Sequence, residues 1–377
     1  MKRLGFSLLL SLAVFGSVAA QTGSKHVDLK EITDGKFRQV TAIGEMRSLP
    51  DGEHYTAMNA DKSMIIKYSY RTGNPVDTLF NARKARECTF TDFDGYTISS
   101  TGHHILVWRD TESIYRRSTK AVVYDYDVRR NYVKPISDAK GKQMIPTFSP
   151  DGRMCAYVRD NNIWIRKFDF DTEVQVTKDG ELNKILNGIT DWGYEEEFAV
   201  TNLMAWSPDS EYLAFVRFDE SEVPEYSMQM YGEGLYPGYY EYKYPKAGQK
   251  NSKVSVHSYS VVTKDTKEMK VPVEGDFYIP RITFTQNPDQ LAIMTLNRQQ
   301  NVFNMYYANP KSGVFRLILR EENKCYVDSD WLTSIQFLNN GFTYVSEQDG
   351  YSHIYLYSPT GVMQRQVTQG NWDVTKF

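Results

Sequence analysis

The sequence runs to 377 residues, 41% of them hydrophobic, which is enough for a sizeable folded core and argues against a disordered chain. Lysine plus arginine number 44 against 47 aspartate plus glutamate, a formal charge of -3 with no long single-sign block, so nucleic acid is not an expected partner. The 27 tyrosines and 14% aromatic content favour pleated, half-buried strands, and the expected fold class is all-β.

In chain order, Lys2 and Arg3 come first, then an apolar run from Leu4 to Val18, then Ala19-Ala20 before Gln21. A basic start, an apolar run too short to span a bilayer and small residues at the end predict a secretory signal peptide over 1–20; a retained anchor is the alternative. No later apolar segment approaches the ~18 residues that a spanning helix needs, so no stable membrane span is expected. The short signal, with no cysteine for lipid attachment, points to the periplasm. Cys88, Cys155 and Cys325 are odd in number and far apart, which reads as inert thiols with no disulfide framework.

Short β runs then recur: Met64–Tyr70, Ile105–Trp108, Ala121–Tyr126, Cys155–Arg159, Ile163–Phe168, Tyr212–Phe218, Val254–Val262, Leu291–Leu296, Phe303–Ala308, Phe342–Ser346 and Ile354–Ser358. Turn cassettes punctuate them at Pro50-Asp51-Gly52, Ser100-Thr101-Gly102, Ser149-Pro150-Asp151-Gly152, Ser207-Pro208-Asp209-Ser210, Asn287-Pro288-Asp289 and Asn339-Asn340-Gly341. Proline presets φ, aspartate bonds its own backbone and glycine accepts positive φ, so each cassette ends one strand and starts the next. Their spacings of about 50, 50, 58, 80 and 52 residues suit one four-stranded blade each, and predict a β-propeller of about six to seven blade equivalents over 21–377. A β-sandwich is the alternative. The 80-residue gap holds a Tyr-, Pro- and Gly-rich insertion over 223–248, read as an irregular arm and not as another strand pair. A last blade is expected to begin near Val367 and to be incomplete at Phe377.

No Gly-x-Ser-x-Gly elbow, His-Glu-x-x-His, P-loop or dinucleotide fingerprint occurs, so no catalytic residue, metal or cofactor is assigned. The informative segment is Gly188-Ile189-Thr190-Asp191-Trp192-Gly193-Tyr194-Glu195-Glu196-Glu197-Phe198. Thr190 or Asp191 can cap a short helix whose dipole favours acids in its first turn, which is a purely structural use for one or two of the glutamates. Three adjacent carboxylates repel one another, however, and a primary ammonium with three donors is the natural cation to reward holding two together.

Asp191-Trp192-x-Tyr194-Glu195-Glu196-Glu197 resembles the glutamate motif of the dipeptidyl peptidase IV family, and the likeness continues through Trp206-Ser207-Pro208, Phe218-Asp219-Glu220-Ser221-Glu222-Val223-Pro224, Tyr244-Pro245-Lys246-Ala247-Gly248, Gly350-Tyr351-Ser352-His353 and Gly370-Asn371-Trp372-Asp373. The resemblance implies that Glu196 and Glu197 hold the free amine of a peptide substrate. It also implies that Arg116, in Ile114-Tyr115-Arg116-Arg117-Ser118, donates to the carbonyl of the penultimate residue, with Arg117 the adjacent alternative. Asp330-Trp331 stands where the family has an aromatic and a basic residue on the pocket wall. The implied whole is an eight-bladed propeller over an α/β-hydrolase domain supplying Ser, Asp and His, releasing X-Pro or X-Ala dipeptides. The expected partners are peptides with a free N-terminus and a second copy of the chain, through the arm near Leu235–Pro245. On this reading the hydrolase domain is missing from the 377 residues; a non-catalytic periplasmic peptide- or protein-binding propeller is the alternative.

Overall fold

The computed structural model describes residues 27–38 and 45–377, and the predicted signal peptide lies outside them. The chain divides into two compact units, 1–44 and 45–377. In the first, the described residues carry one helix, Leu29–Thr33, with Asp28 as its N-cap accepting from the Lys30 amide at 3.0 Å.

The second unit is all-β and propeller-type. Among the described residues, six antiparallel sheets follow one another along the chain, and each is one blade. Blade one runs from Arg47–Ser48 to Pro75–Asn81, blade two from Gly95–Ile98 to Tyr132–Pro135, and blade three from Met144–Phe148 to Thr172–Gln175. Blades five and six run from Phe277–Phe284 to Phe315–Glu322 and from Gln336–Leu338 to Met363–Gln366. Every one of the six turn cassettes joins the first strand of a blade to its second, which explains why the cassettes recur once per blade. They also tie neighbours together: Ser100 Oγ donates to the Pro150 carbonyl at 2.6 Å, and the Asp151 amide donates to Ser210 Oγ at 3.1 Å.

The second and third strands of each blade carry the core. Met154–Arg159 is buried at all six positions and Leu291–Asn297 at all but the last, because both faces of such a strand are covered by neighbouring blades. Phe303, Phe342 and Tyr344 are among the largest wholly buried side chains, each worth ~3–5 kcal/mol against alanine where a Phe-sized ring is involved.

Blade four departs from the meander. Its first strand is broken into Ile185–Asn187 and Met204–Trp206, both pairing antiparallel with Tyr212–Asp219, and the residues between them leave the sheet as an excursion. Between its second and third strands sits the arm. There the structure corrects the sequence reading: Glu225–Met230 and Gly238–Lys243 form a six-pair antiparallel hairpin, not an irregular loop. Tyr226 lies opposite Tyr242 and Met228 opposite Tyr240, and cross-strand pairs of aromatic and apolar side chains stabilise a hairpin that has no sheet beside it. A second correction concerns Val367–Phe377, which forms no strand. It folds back on blade six through the Val367 amide to the Ile354 carbonyl (2.7 Å) and the Val374 amide to the Ser352 carbonyl (2.8 Å), while Gly370, at φ +132, offers its carbonyl to His353.

Candidate functional site

The excursion from blade four is closed at its neck like a small loop of sheet. Leu203 donates to the Gly188 carbonyl at 2.8 Å, Gly188 to Val216 at 2.9 Å and Val216 to Leu203 at 3.0 Å. Gly188 has φ +76, and a Cβ there would lie 2.7 Å from Met204 Cγ, so glycine is required at this neck. Beyond the neck runs the helix Trp192–Phe198, which starts at Asp191 and stops at Ala199 in the left-handed region. Asp191 is the cap of the two candidates: its Oδ1 accepts from the Tyr194 amide at 2.9 Å and its Oδ2 from Ser252 Oγ at 2.6 Å. Burial raises its pKa, while the two donors work in the opposite direction. Tyr194 and Phe198, one turn apart, anchor the helix, and the Tyr194 hydroxyl accepts from the Ile279 amide of blade five at 2.8 Å.

Successive residues on a helix point about 100° apart, so the three glutamates face three ways. Glu195 points inward and is 1% exposed. One of its oxygens accepts from the backbone amides of Arg117 and Ser118, the latter at 2.8 Å, and the Arg117 guanidinium donates to the Glu195 carbonyl at 2.9 Å. Its other oxygen is buried without a partner among the described residues. Glu196 meets Arg116: Nε lies 2.9 and 3.0 Å from the two carboxylate oxygens and Nη2 lies 2.9 Å from Oε1. The hydrogen bond from Arg116 holds the Glu196 carboxyl below its usual range, and the same contact raises the arginine. Glu197 is exposed, has no hydrogen-bonded or ion-paired partner among the described residues, and lines a cavity of about 250 Å³ with Lys246, Asn251, Tyr278 and Arg298.

Arg116 thus reaches the helix from the hairpin between the second and third strands of blade two, across 80 residues of sequence. Arg117 is committed to the helix backbone, which separates the roles of two residues that look alike in the sequence. The base of the arm packs beside both partners: Tyr244 stacks on Trp192 at 4.1 Å, and Tyr242 lies 5.8 Å from Tyr115. Trp331 is held apart from this constellation in sequence, in the 3-10 helix Ser329–Ser334, and lines a small cavity with Glu321 and Tyr326. Sequence reasoning missed Glu195, Ser118 and Ser252. Only the capping pattern at Asp191 was a local signal; the Glu195 partners lie 77 and 78 residues away. Among the described residues, no group of three or more His, Cys, Asp or Glu side chains is placed to hold a metal ion.

The fold is a propeller-type array in which an arginine hairpin of blade two meets a short acidic helix of blade four. Residues 99–377 match the family model "Dipeptidyl peptidase IV (DPP IV) N-terminal region", and the chain belongs to that family. It is 27% identical to prolyl endopeptidase FAP of Homo sapiens over 92% of the chain and 46% of that protein, and 29% identical to a probable dipeptidyl-aminopeptidase B of Aspergillus niger over 95% of the chain and 44% of that protein. The crystal structure of Porphyromonas gingivalis dipeptidyl peptidase 4 superposes with a TM-score of 0.90 at 62% identity, covering 94% of this chain and 51% of that one. A putative dipeptidyl aminopeptidase IV from Bacteroides ovatus shares the fold, with a TM-score of 0.64 at 20% identity. The chain therefore spans about half the length, or somewhat less, of the relatives it matches.

Proposed function

We propose that residues 45–377 are the substrate-gating, amine-recognising part of a secreted, periplasmic serine exopeptidase that releases X-Pro or X-Ala dipeptides from peptides with a free N-terminus. The observation that carries this reading is the Arg116–Glu196 pair beside an unpartnered Glu197. A carboxylate offers about four lone-pair positions. Arg116 uses those of Glu196 on one side only, leaving sites for an ammonium that Glu197 can share. Arg116, with its guanidinium mostly exposed, keeps donors for a substrate carbonyl. Such a clamp fixes the peptide's amino end, so that a nucleophile supplied elsewhere in the full-length protein meets the bond after the second residue. Blocked or internal peptide segments lack the charge that the clamp requires and are rejected.

The exposed aromatic arm, with Leu235, Tyr236 and Tyr239 at its tip, supports a further part of the reading: the full-length protein dimerises through it.

The test is kinetic. In the full-length protein, Glu196→Ala or Glu197→Ala should lower kcat/KM on an H-Gly-Pro amide at least about 30-fold, the loss of ~2 kcal/mol expected when one partner of a charge-assisted pair is removed. Wild-type rates in both variants contradict the assignment.

A further inference from the structure

Next to the site, and not used by it, lies a cavity lined in part by carboxylates. It has a volume of about 700 Å³ and opens between blades two, three and four. Tyr115 and Ser118 of the Arg116 hairpin form one wall, Asp160 and Glu181 another, and Tyr240 of the arm a third. Glu220, the residue that follows the second strand of blade four, completes it. Glu220 is 4% exposed, and its carboxyl has no hydrogen-bonding partner among the described residues. A buried carboxyl without a partner costs free energy unless something occupies the space it faces.

The charges around it select the occupant. The two lysines on the wall, Lys120 and Lys142, are both spent on Glu112, at 3.2 and 2.7 Å. Lys243, the nearest opposing charge on the arm, lies 3.8 Å from Glu225. Glu181 pairs with Lys184 at 2.5 Å, and Asp160 has only the Arg159 guanidinium, at 4.0 Å. Among the described residues no cation forms an ion pair with Glu220, and although the Lys243 charge acts on it, Asp191 and Asp219 add negative charge. An anion would be repelled there; a cation would relieve that repulsion and face the rings of Tyr115 and Tyr240.

We propose that this cavity binds the ammonium or guanidinium group of a ligand through the Glu220 carboxylate. Burial, and then the charge of Asp191, push the Glu220 carboxyl up to about 8, with Lys243 pulling the other way. At neutral pH the unliganded carboxyl is mostly protonated, so a bound cation expels a proton and affinity rises as pH rises through that value. Tyr115, raised by burial, stays protonated across the same range and leaves the carboxyl as the group that changes charge.

The experiment is a calorimetric titration of the full-length protein with butylguanidinium, whose own charge is constant over the pH range used. Saturable one-to-one binding is expected, about tenfold tighter at pH 9 than at pH 7 by linkage to the carboxyl. Glu220→Gln, which keeps the shape of the protonated acid and should melt like the wild type, should lose the binding; Tyr240→Leu should weaken it several-fold. Comparing KM for H-Arg-Pro and H-Gly-Pro amides, an arm that rests on the peptidase reading where the titration does not, separates two sources of the cation. A substrate side chain makes Glu220→Gln raise KM for the first alone, and a cationic ligand separate from the substrate leaves both unchanged. Absence of saturable binding to the folded wild type, or equal binding by Glu220→Gln, overturns the proposal.

Discussion

The two ends of the blades are built on different principles. Antiparallel strands place alternate turns at opposite ends, so the six cassettes share one end and the Arg116 hairpin lies at the other. At the cassette end the turns bond largely within themselves, with single ties to the next cassette: Ser149 Oγ donates to Asp151 Oδ1 at 2.6 Å and accepts from the Met154 amide at 3.0 Å, all within six residues. At the hairpin end Glu195 and Glu196 find partners across the fold, although the hairpin also closes on itself through the Tyr115 amide, which donates to Ser118 Oγ at 3.2 Å. Glu195 of blade four accepts from the backbone of blade two, and Arg116 of blade two binds Glu196 of blade four. One end holds the blades in their repeat, and the other gathers side chains from separate blades into one place, which is what a recognition site requires.

Three substitutions would break or sharpen this contrast. The largest effect should come from Glu195→Ala, which orphans two backbone amides that are now bonded to a buried carboxylate. A loss of ~1–3 kcal/mol in unfolding free energy is expected, read by denaturant titration, together with a fall in kcat/KM of the full-length protein because the Arg116 hairpin loses its tie to the helix. Unchanged kcat/KM would show that the tie does not position the hairpin. A smaller effect is expected from Ser149→Ala, ~1 kcal/mol of stability with kcat/KM unchanged, since the bonds it removes are local to a turn at the other end. Glu196→Gln should have the smallest effect on stability, because the Arg116 guanidinium is mostly exposed and screened by water. Arg116 lowers the Glu196 carboxyl from its ordinary 4.5, so the pair's contribution is fully present above that value and fades as pH falls through the lowered one. Melting temperatures of wild type and Glu196→Gln should accordingly converge on acidification; divergence would contradict the sign.

The same contrast decides what could be read from the sequence. All eleven runs picked out as strands are second or third strands of a blade, among them Cys155–Arg159 and Leu291–Leu296, because these are paired on both sides and rich in apolar and aromatic residues. First and fourth strands escaped. Thr172–Gln175 and Thr266–Met269 are edge strands of mixed, largely polar composition with no run to detect. The cassettes were legible because their chemistry is local. In the arm, the Pro and Gly of its turn masked a register that depends on Tyr226, Tyr240 and Tyr242 meeting in pairs. At the site, Arg116, Glu196 and Glu197 came from the family resemblance, whereas the role of Glu195 rests on amides that no spacing rule links to it.

The most direct measurement for the central claim is the ratio of kcat/KM for H-Gly-Pro amide to that for its N-acetylated form, in the full-length protein and in Glu196→Ala and Glu197→Ala. If these carboxylates hold the free amine, the wild-type ratio is large and collapses toward unity in each variant, since blocking the amine and removing its partner delete the same interaction. A ratio that stays at the wild-type value in both variants would place amine recognition on other residues and contradict the account.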